Sequence, residues 1–430
     1  MKKVSHRAKF SMIGLVLTLS FGLAACGSNN NNTKTRDDSM KGMDHSSMNE
    51  GEKEDNKNTS GMKHSKAPIS FNENATNGLM TMNTKNVTRI DTSDPIKMAV
   101  TVSQTIWPAT HKENQPGGVI LVPTGSWQID VASADLIHHP NNGPILFINK
   151  DSIPNMTLNE IKRLNPIGIK DGTQVMIMGE VSDAVLDSLK GYKVKQIKDT
   201  DIPTFAKEVD KTYADTVGEY PQSVIIGSSD EDAKLYTIPA INWISHMPEP
   251  LLYVTKSEVP QATIDALKER KGKANIYLLG PKPIISEDVE KKLGEYGKVT
   301  RISGKNPVEN SIAFAKFKDK KTKFGWGISN PGHGISFAST STYDLAIAGA
   351  PFSHMGKHAP LILLENGEPT QPIYDFLGSI KPMYKESPTE GPYNHAFLLG
   401  TEKEISFKTQ GILDDQLEIM SQNGMNHSGM

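Results

Sequence analysis

Pro144-Ile-Leu-Phe-Ile148 returns 106 positions later as Pro250-Leu-Leu-Tyr-Val254. The same offset carries Lys150 to Lys256, and a third apolar block of this kind, Pro360-Leu-Ile-Leu-Leu364, follows. Repetition at a nearly fixed period is typical of a chain assembled from copies of one structural unit. The chain is therefore expected to fold as a set of similar modules.

A second motif indicates the number of copies. Asn86-Val-Thr-Arg-Ile90 reappears as Lys298-Val-Thr-Arg-Ile302, 212 positions later, which is twice the period. Between them lies a degenerate copy without the arginine, Lys193-Val-Lys-Gln-Ile197. Each copy marks the start of a predicted unit. The predicted units are residues 86–192, 193–297 and 298–420.

The apolar runs inside each unit are short and continuous, as in Val119-Ile-Leu-Val122 and Val175-Met-Ile-Met178. Strands without polar alternation are buried on both faces, as in parallel sheets covered by helices. Helical candidates, such as residues 158–164 and 182–190, lie between these runs. Alternation of strand and helix predicts an α/β fold with parallel sheets and right-handed crossovers.

The N-terminus has the pattern of a secretion signal. Basic residues precede an apolar run from Phe10 to Ala25, and the run ends in Leu23-Ala-Ala-Cys26. We predict a signal peptide over residues 1–25. The ending resembles the lipobox of bacterial lipoproteins, which implies cleavage before Cys26 and attachment of a diacylglycerol to its thiol. The alternative is an ordinary signal peptide with an incidental cysteine. A lipid at Cys26 would anchor the protein to the membrane.

Residues 26–85 are predicted to be a flexible tether, and residues 421–430 a flexible tail. From residue 27 to about residue 70 the chain has few aromatic or branched apolar side chains, too few to offset the entropy cost of ordering. The formal net charge of the whole chain is -2. Such a balance lacks the strong positive bias of a nucleic-acid binder, so nucleic acid is not expected as a partner.

The order of the repeated motifs resembles the cell-wall-binding repeat 2 family. The order comprises V-T-R-I, a small-residue helix such as Asp344-Leu-Ala-Ile-Ala-Gly-Ala-Pro351, a P-I-L-L-like strand, and a strand that ends in glycine before a helix. The resemblance covers about residues 86–420 and implies three tandem Rossmann-like modules in a pseudo-threefold arrangement. It also implies non-covalent attachment to an anionic polymer of a Gram-positive wall, teichoic-acid-like or a secondary polysaccharide. The middle unit lacks the arginine, and the third carries an insertion-like stretch at residues 330–339.

Four basic residues are candidates for binding such a polymer, because phosphate-rich polymers favour arginine and lysine donors. Arg89 and Arg301 recur at equivalent positions, as do Lys150 and Lys256. For the arginine pair, ion pairing with acidic neighbours across unit interfaces is an equally good interpretation.

Both ends of the chain carry Met-x-His-Ser copies. Thioether and imidazole ligands together suit Cu(I) and Ag(I), and imidazole also suits Cu(II). The alternative is compositional drift in a polar segment. The candidate metal ligands are Met40, Met43, His45, Met48, Met62, His64, Met425, His427 and Met430.

Further histidines give weaker hypotheses. His354 and His358 have the i, i+4 spacing of helical metal ligands, but Gly356 and a nearby proline argue against a long helix. His138 and His139 are expected in a surface loop. The chain contains no G-x-S-x-G nucleophile motif, and no catalytic residue is assigned.

We therefore interpret the chain as a non-enzymatic, wall-binding lipoprotein on the outer face of the cell membrane of a Gram-positive bacterium, with no required cofactor. One alternative is an extracytoplasmic copper- or silver-binding lipoprotein that buffers metal in its flexible ends. The second alternative is an unrecognised surface enzyme that uses the irregular stretch at residues 326–344.

Overall fold

The computed structural model describes residues 66–72, 74–199 and 201–422. The predicted α/β class is confirmed, since this part of the chain contains three four-stranded sheets in which all neighbouring strands are parallel. Among these described residues, no helix combines the length and the apolar character that crossing a membrane requires.

The strands are numbered along the chain. They are β1 Val87–Ile90, β2 Val119–Pro123, β3 Ile145–Ile148, β4 Val175–Met178, β5 Val194–Ile197, β6 Ser223–Ser228, β7 Leu251–Val254, β8 Ala274–Leu279, β9 Gly297–Ile302, β10 Gly334–Ser339, β11 Leu361–Leu364, β12 Met383–Tyr384, β13 His395–Leu399 and β14 Met420–Ser421.

The helices between them are short to medium in length. They are α1 Pro95–Ile106, α2 Trp127–Ser133, α3 Asn155–Leu164, α4 Asp183–Ser188, α5 Ile202–Val217, α6 Lys234–Thr237, α7 Ala240–Ile244, α8 Gln261–Lys268, α9 Glu287–Leu293, α10 Pro307–Lys316, α11 Tyr343–Ala348, α12 Gln371–Ser379 and α13 Phe407–Leu417.

The three large sheets share one strand order. The first is β3-β2-β4-β5, the second β7-β6-β8-β9 and the third β11-β10-β13-β1. We name each sheet with its helices the first, second and third module. In all three the last strand is the V-T-R-I element or its degenerate copy. In the third module this strand comes from the other end of the chain, with Val87 paired to Ala396 and Ile90 to Leu399.

The sheets are therefore offset by one strand from the predicted units. The strand that opens each predicted unit completes the sheet of the preceding unit, and β1 completes the sheet of the last. The helix that follows each such strand packs on the next sheet, α1 against β3, α5 against β7 and α10 against β11. The units thus interlock in a cycle, because each one supplies an edge strand to a neighbour. A period in the sequence shows which segments are equivalent, but not which sheet a strand joins.

The starts of α1, α5 and α10 show how equivalent sequences set equivalent structure. Asp94, Asp201 and Asn306 precede these helices, and each side chain accepts a hydrogen bond from a backbone N–H of the first turn. A proline occupies the first or second helical position in each case, where its missing N–H is harmless. The chain direction is therefore fixed as it passes from one sheet to the next.

The three modules meet at a junction built from small residues. Helix α2 contacts α7 and α11, and α7 contacts the helical turn Ala350–Ser353 that follows α11. Hydrogen bonds cross the junction, including one from Asn242 Nδ2 to the Ala359 carbonyl at 2.9 Å. Small side chains let these segments approach closely around a common centre. The buried alanines here are Ala132, Ala134, Ala240, Ala346, Ala348 and Ala350.

The described end of the predicted tether contacts the third module. Gln410 Nε2 donates to the Met82 carbonyl at 2.7 Å, and the Arg89 N–H donates to Asn83 Oδ1 at 2.9 Å. Residues 82–85 therefore lead the chain directly into β1.

Candidate functional site

Three histidines, one from each module, meet at the junction: His138, His246 and His354. They are spaced 108 residues apart in both steps. His138 lies in the irregular helical turn Ile137–Asn141, His246 follows α7, and His354 follows the turn Ala350–Ser353. Each precedes the second strand of its module, so the three occupy equivalent places at the amino ends of the strands. We call these three residues the histidine cluster.

The rings of the cluster converge. One nitrogen from each ring lies within 4.8 Å of the nitrogens from the other two. The ring centroids of His138 and His354 are 4.6 Å apart, and those of His138 and His246 are 6.0 Å apart with nearly parallel planes. All three side chains are half-buried, so they remain reachable from solvent.

Hydrogen bonds orient two of the rings. His138 Nδ1 donates to the His246 carbonyl at 2.5 Å, which leaves Nε2 of His138 with its lone pair. His354 Nε2 donates to Asn142 Oδ1 at 2.8 Å, which leaves Nδ1 of His354 with its lone pair. His246 Nδ1 is buried and has no hydrogen-bond partner within the described parts of the chain. Each ring therefore has a nitrogen available to a ligand.

The surroundings keep these rings neutral. Burial, reinforced by the neighbouring histidines, lowers the pKa of His354 to about 3 and that of His246 to about 4. Burial also lowers the pKa of His138. Neutral imidazole is the form that binds a metal ion, so the cluster is ready to do so at neutral pH.

Other aromatic rings surround the cluster. His139 stacks on His138 with centroids 4.2 Å apart, and the ring of His358 lies 4.3 Å from that of His246. Trp326 lies parallel to His246 at 6.0 Å, and Trp107 is 6.3 Å from His354. Five imidazoles from three separate parts of the sequence thus share one patch.

Sequence reasoning did not find the cluster. The expectation of a surface loop holds only for the exposed His139, because His138 turns into the junction. His354 and His358 do not share a helix, since Lys357 and His358 adopt positive φ angles of 65° and 53°. The signal that could have revealed the cluster is the equal spacing of 108 residues.

Arg89 and Arg301 are engaged within the protein, and Arg301 forms the ion pair across predicted units that was the alternative to polymer contact. Arg89 is 5 % exposed and donates to the carbonyls of Gly400 and Ile405 at 2.7 and 2.8 Å. Arg301 donates to the Gly280 carbonyl at 2.8 Å and pairs with Glu290 within its own module. Both arginines hold the turn after a neighbouring strand, because the carbonyl groups of that turn need buried donors.

The degenerate copy performs the same task with a different side chain. Gln196 occupies the position of the arginine, and its Nε2 donates to the Gly179 carbonyl at 2.9 Å. Gly179, Gly280 and Gly400 have φ angles of 95°, 131° and 132°, the left-handed region that favours glycine. Although the middle copy has lost the arginine, a side-chain hydrogen bond therefore still holds this turn.

Lys150 and Lys256 are exposed and occupy matching places. Their backbone carbonyls accept hydrogen bonds from the N–H groups of Ser182 and Ser286 at 2.9 and 3.0 Å. The Lys150 side chain is 73 % exposed and lies 3.9 Å from Glu180. It borders a groove of about 470 Å³ at the carboxyl ends of the first sheet. Ligands of open α/β sheets bind at this edge, so both lysines remain candidates for polymer contact.

A second groove lies at the other edge of the third module. It has a volume of about 650 Å³ and is lined by Lys85, His333, Lys357, His358 and His395, among others. His395 Nε2 is 3.0 Å from the Thr88 hydroxyl. His333 and His395 therefore lie beside this groove rather than in the histidine cluster.

Several predicted residues lie outside the described part of the chain, and the predictions for them stay predictions. They are Cys26 and the candidate ligands Met40, Met43, His45, Met48, Met62, His64, Met425, His427 and Met430.

Comparisons with known proteins give fold likeness. No family model matches the chain, and no curated protein matches it in sequence. The solved structure described as Cwp6 from Clostridium difficile is similar, with a TM-score of 0.64 and 18% identity, over 81% of this chain and 50% of that one. Cwp8 from Clostridium difficile is similar with a TM-score of 0.59 and 17% identity, over 77% and 52%. The chain thus spans about half the length of these structures, and at such identities the likeness concerns the fold.

Proposed function

We propose that this chain is a non-enzymatic cell-surface protein that associates with an anionic polymer of the bacterial wall. The observation that carries the proposal is the three-module fold, which is similar to Cwp6 and Cwp8 over most of this chain. The motif order that resembles the cell-wall-binding repeat 2 family points in the same direction.

The surface that fits this function contains Lys150 and Lys256. Both lysines stand at the carboxyl edge of a parallel sheet, on equivalent modules, and both side chains are exposed, with the Lys150 ammonium group 3.9 Å from Glu180. In the third module the corresponding residue is Asn366, so that module lacks the cation. Two weak sites on one body would act together, because binding at the first raises the effective concentration of polymer at the second.

Reversing both charges in a Lys150→Glu, Lys256→Glu variant is expected to weaken binding to purified walls, and the wild-type interaction is expected to weaken as salt rises. The measurement is co-sedimentation with protein-free walls across a salt series, before and after removal of anionic polymers. Lys162→Glu with Lys268→Glu is the matched control. These lysines also recur at the 106-residue offset and are exposed, and the variant has the same net charge. Equal binding of both variants and the wild type would remove Lys150 and Lys256 from the site.

We also propose that the protein is anchored to the membrane by a lipid at Cys26. Cys26→Ser is expected to release the protein to the medium or to leave it as an uncut precursor, because no other thiol can take the lipid. The measurement is fractionation of cells after enzymatic removal of the wall. A Cys26→Ser protein that is processed normally and stays with the membrane would rule out the lipoprotein assignment.

A further inference from the structure

We infer that His138, His246 and His354 bind a single transition-metal ion of the class that favours imidazole, such as Zn²⁺ or Cu²⁺, at the junction of the three modules. This site is separate from the wall-binding surface at Lys150 and Lys256 and does not depend on the proposed function. It is also separate from the Met-x-His-Ser copies near the ends of the chain.

The arrangement of the ligands is the first support. Each module contributes one imidazole from an equivalent position, so an ion at the junction would meet three similar ligands. Three nitrogens bound to zinc at about 2.0–2.1 Å lie about 3.3 Å from one another in tetrahedral geometry. The nitrogens of the cluster already lie within 4.8 Å of one another, so each pair must approach by no more than about 1.5 Å to reach that spacing. Three histidines with an open fourth position is a known arrangement for zinc.

The hydrogen bonds around the rings are the second support. Metal-binding histidines usually donate their other ring N–H to a carbonyl or a carboxylate, which fixes the ring and its tautomer. His138 donates Nδ1–H to the His246 carbonyl, and His354 donates Nε2–H to Asn142 Oδ1. Each bond joins two different modules. Both rings are therefore held in an orientation that leaves one nitrogen lone pair for an ion.

The unpaired nitrogen of His246 is the third support. Buried polar atoms without a partner are rare in folded proteins and cost free energy. His246 Nδ1 is such an atom within the described ranges, and the His246 ring lies 6.0 Å from the ring of His138 and 4.3 Å from that of His358. A bound ion would satisfy this nitrogen.

The donor set selects the class of ion. Imidazole nitrogen suits Zn²⁺, Cu²⁺ and Ni²⁺, whereas Mg²⁺ and Ca²⁺ require oxygen ligands. Among the described residues the group that converges here contains histidine only. An ion bound to all three modules would stabilise the folded protein, because the unfolded chain cannot bring the three rings together.

The test is titration of the full-length, chelator-treated protein with Zn²⁺ and separately with Cu²⁺, followed by calorimetry and by metal analysis after gel filtration. The wild type is expected to retain one ion per chain and to gain thermal stability on loading. A His138→Gln, His246→Gln, His354→Gln variant is expected to lose both effects. A His45→Gln, His64→Gln, His427→Gln variant is the matched control and is expected to keep them. Mg²⁺ is expected to produce neither effect.

Two milder variants keep the test decisive where the triple variant does not fold. His354→Gln alone is expected to weaken Zn²⁺ binding by more than about 100-fold, beyond the usual cost of losing an outer hydrogen-bond partner. Asn142→Gly removes that partner and is expected to weaken binding by about 10- to 100-fold. Glycine suits this position because Asn142 has a φ of 40°. The inference is overturned if the wild type retains no ion, or if the triple variant or His354→Gln binds Zn²⁺ as the wild type does.

Discussion

Replacing Asp210 with alanine is expected to lower the free energy of unfolding by about 3–5 kcal/mol, because it leaves the Arg270 guanidinium buried without its partner. Arg270 binds Asp210 through two bonds, Nη1 to Oδ2 at 2.6 Å and Nη2 to Oδ1 at 2.8 Å. The two side chains are 0 and 1 % exposed. The pair joins α5 to the end of α8 in the second module, so its loss is expected to weaken the packing between these two helices.

The matched control lies on the same helix. Lys211 and Asp215 form an ion pair at 2.5 Å, but their side chains are 50 and 60 % exposed. Asp215→Ala is therefore expected to lower the free energy of unfolding far less than Asp210→Ala does, since exposed pairs are screened by water and salt. Urea unfolding of both variants beside the wild type measures the difference. Similar losses for Asp210→Ala and Asp215→Ala would contradict a special role for the buried pair.

Arg89→Ala is expected to cost about 2–4 kcal/mol, because each buried acceptor that loses its donor costs about 1–3 kcal/mol. Its guanidinium serves the carbonyls of Gly400 and Ile405 and the side chain of Gln410. These bonds join β1, near the start of the described chain, to the turn after β13 and to α13. The variant is therefore expected to weaken the attachment of β1 to the third sheet in particular.

Arg89→Gln is the informative companion to this variant. A glutamine holds the equivalent turn in the first module, where Gln196 donates to the Gly179 carbonyl. We expect Arg89→Gln to retain the bond to Gly400 and to lose less stability than Arg89→Ala. Lys85→Ala provides a surface control, since Lys85 is 61 % exposed in its pair with Glu418. Urea unfolding measures the stability of all three variants. Equal losses for Arg89→Ala and Lys85→Ala would refute the role of Arg89 in holding the turn after β13.

The repeat and the local motifs were sufficient to predict much of the fold. The apolar runs at Pro144 and Pro250 became β3 and β7, and the V-T-R-I copies became β1 and β9. Buried parallel strands are continuous apolar runs, and this property can be read within a few residues. The offset between predicted units and sheets could not be read, because β1 pairs with β13 across more than 300 residues of chain.

The candidate functional residues were harder to predict from the sequence than the fold, because their surroundings depend on tertiary contacts. Lys150 and Lys256 are exposed, as polymer contact requires, because a charge in a loop after a strand usually stays in water. Their contact with a polymer stays a prediction. For Arg89 and Arg301 the sequence left polymer contact and internal pairing open. The partners of Arg89 lie more than 300 residues away, whereas Glu290, the partner of Arg301, lies only 11 residues away. The histidine cluster was missed because each of its members is isolated in its own module.

The sequence by itself determined the repeating α/β unit, its number of copies and the equivalence of positions between copies, because these depend on local apolar patterns and on spacing. Only the tertiary structure decided which sheet each V-T-R-I strand joins, which basic residues face solvent, and that His138, His246 and His354 meet. Spacing reveals that three residues are equivalent. Whether equivalent residues come together depends on where the modules meet, and the packing of small side chains at the junction sets that place.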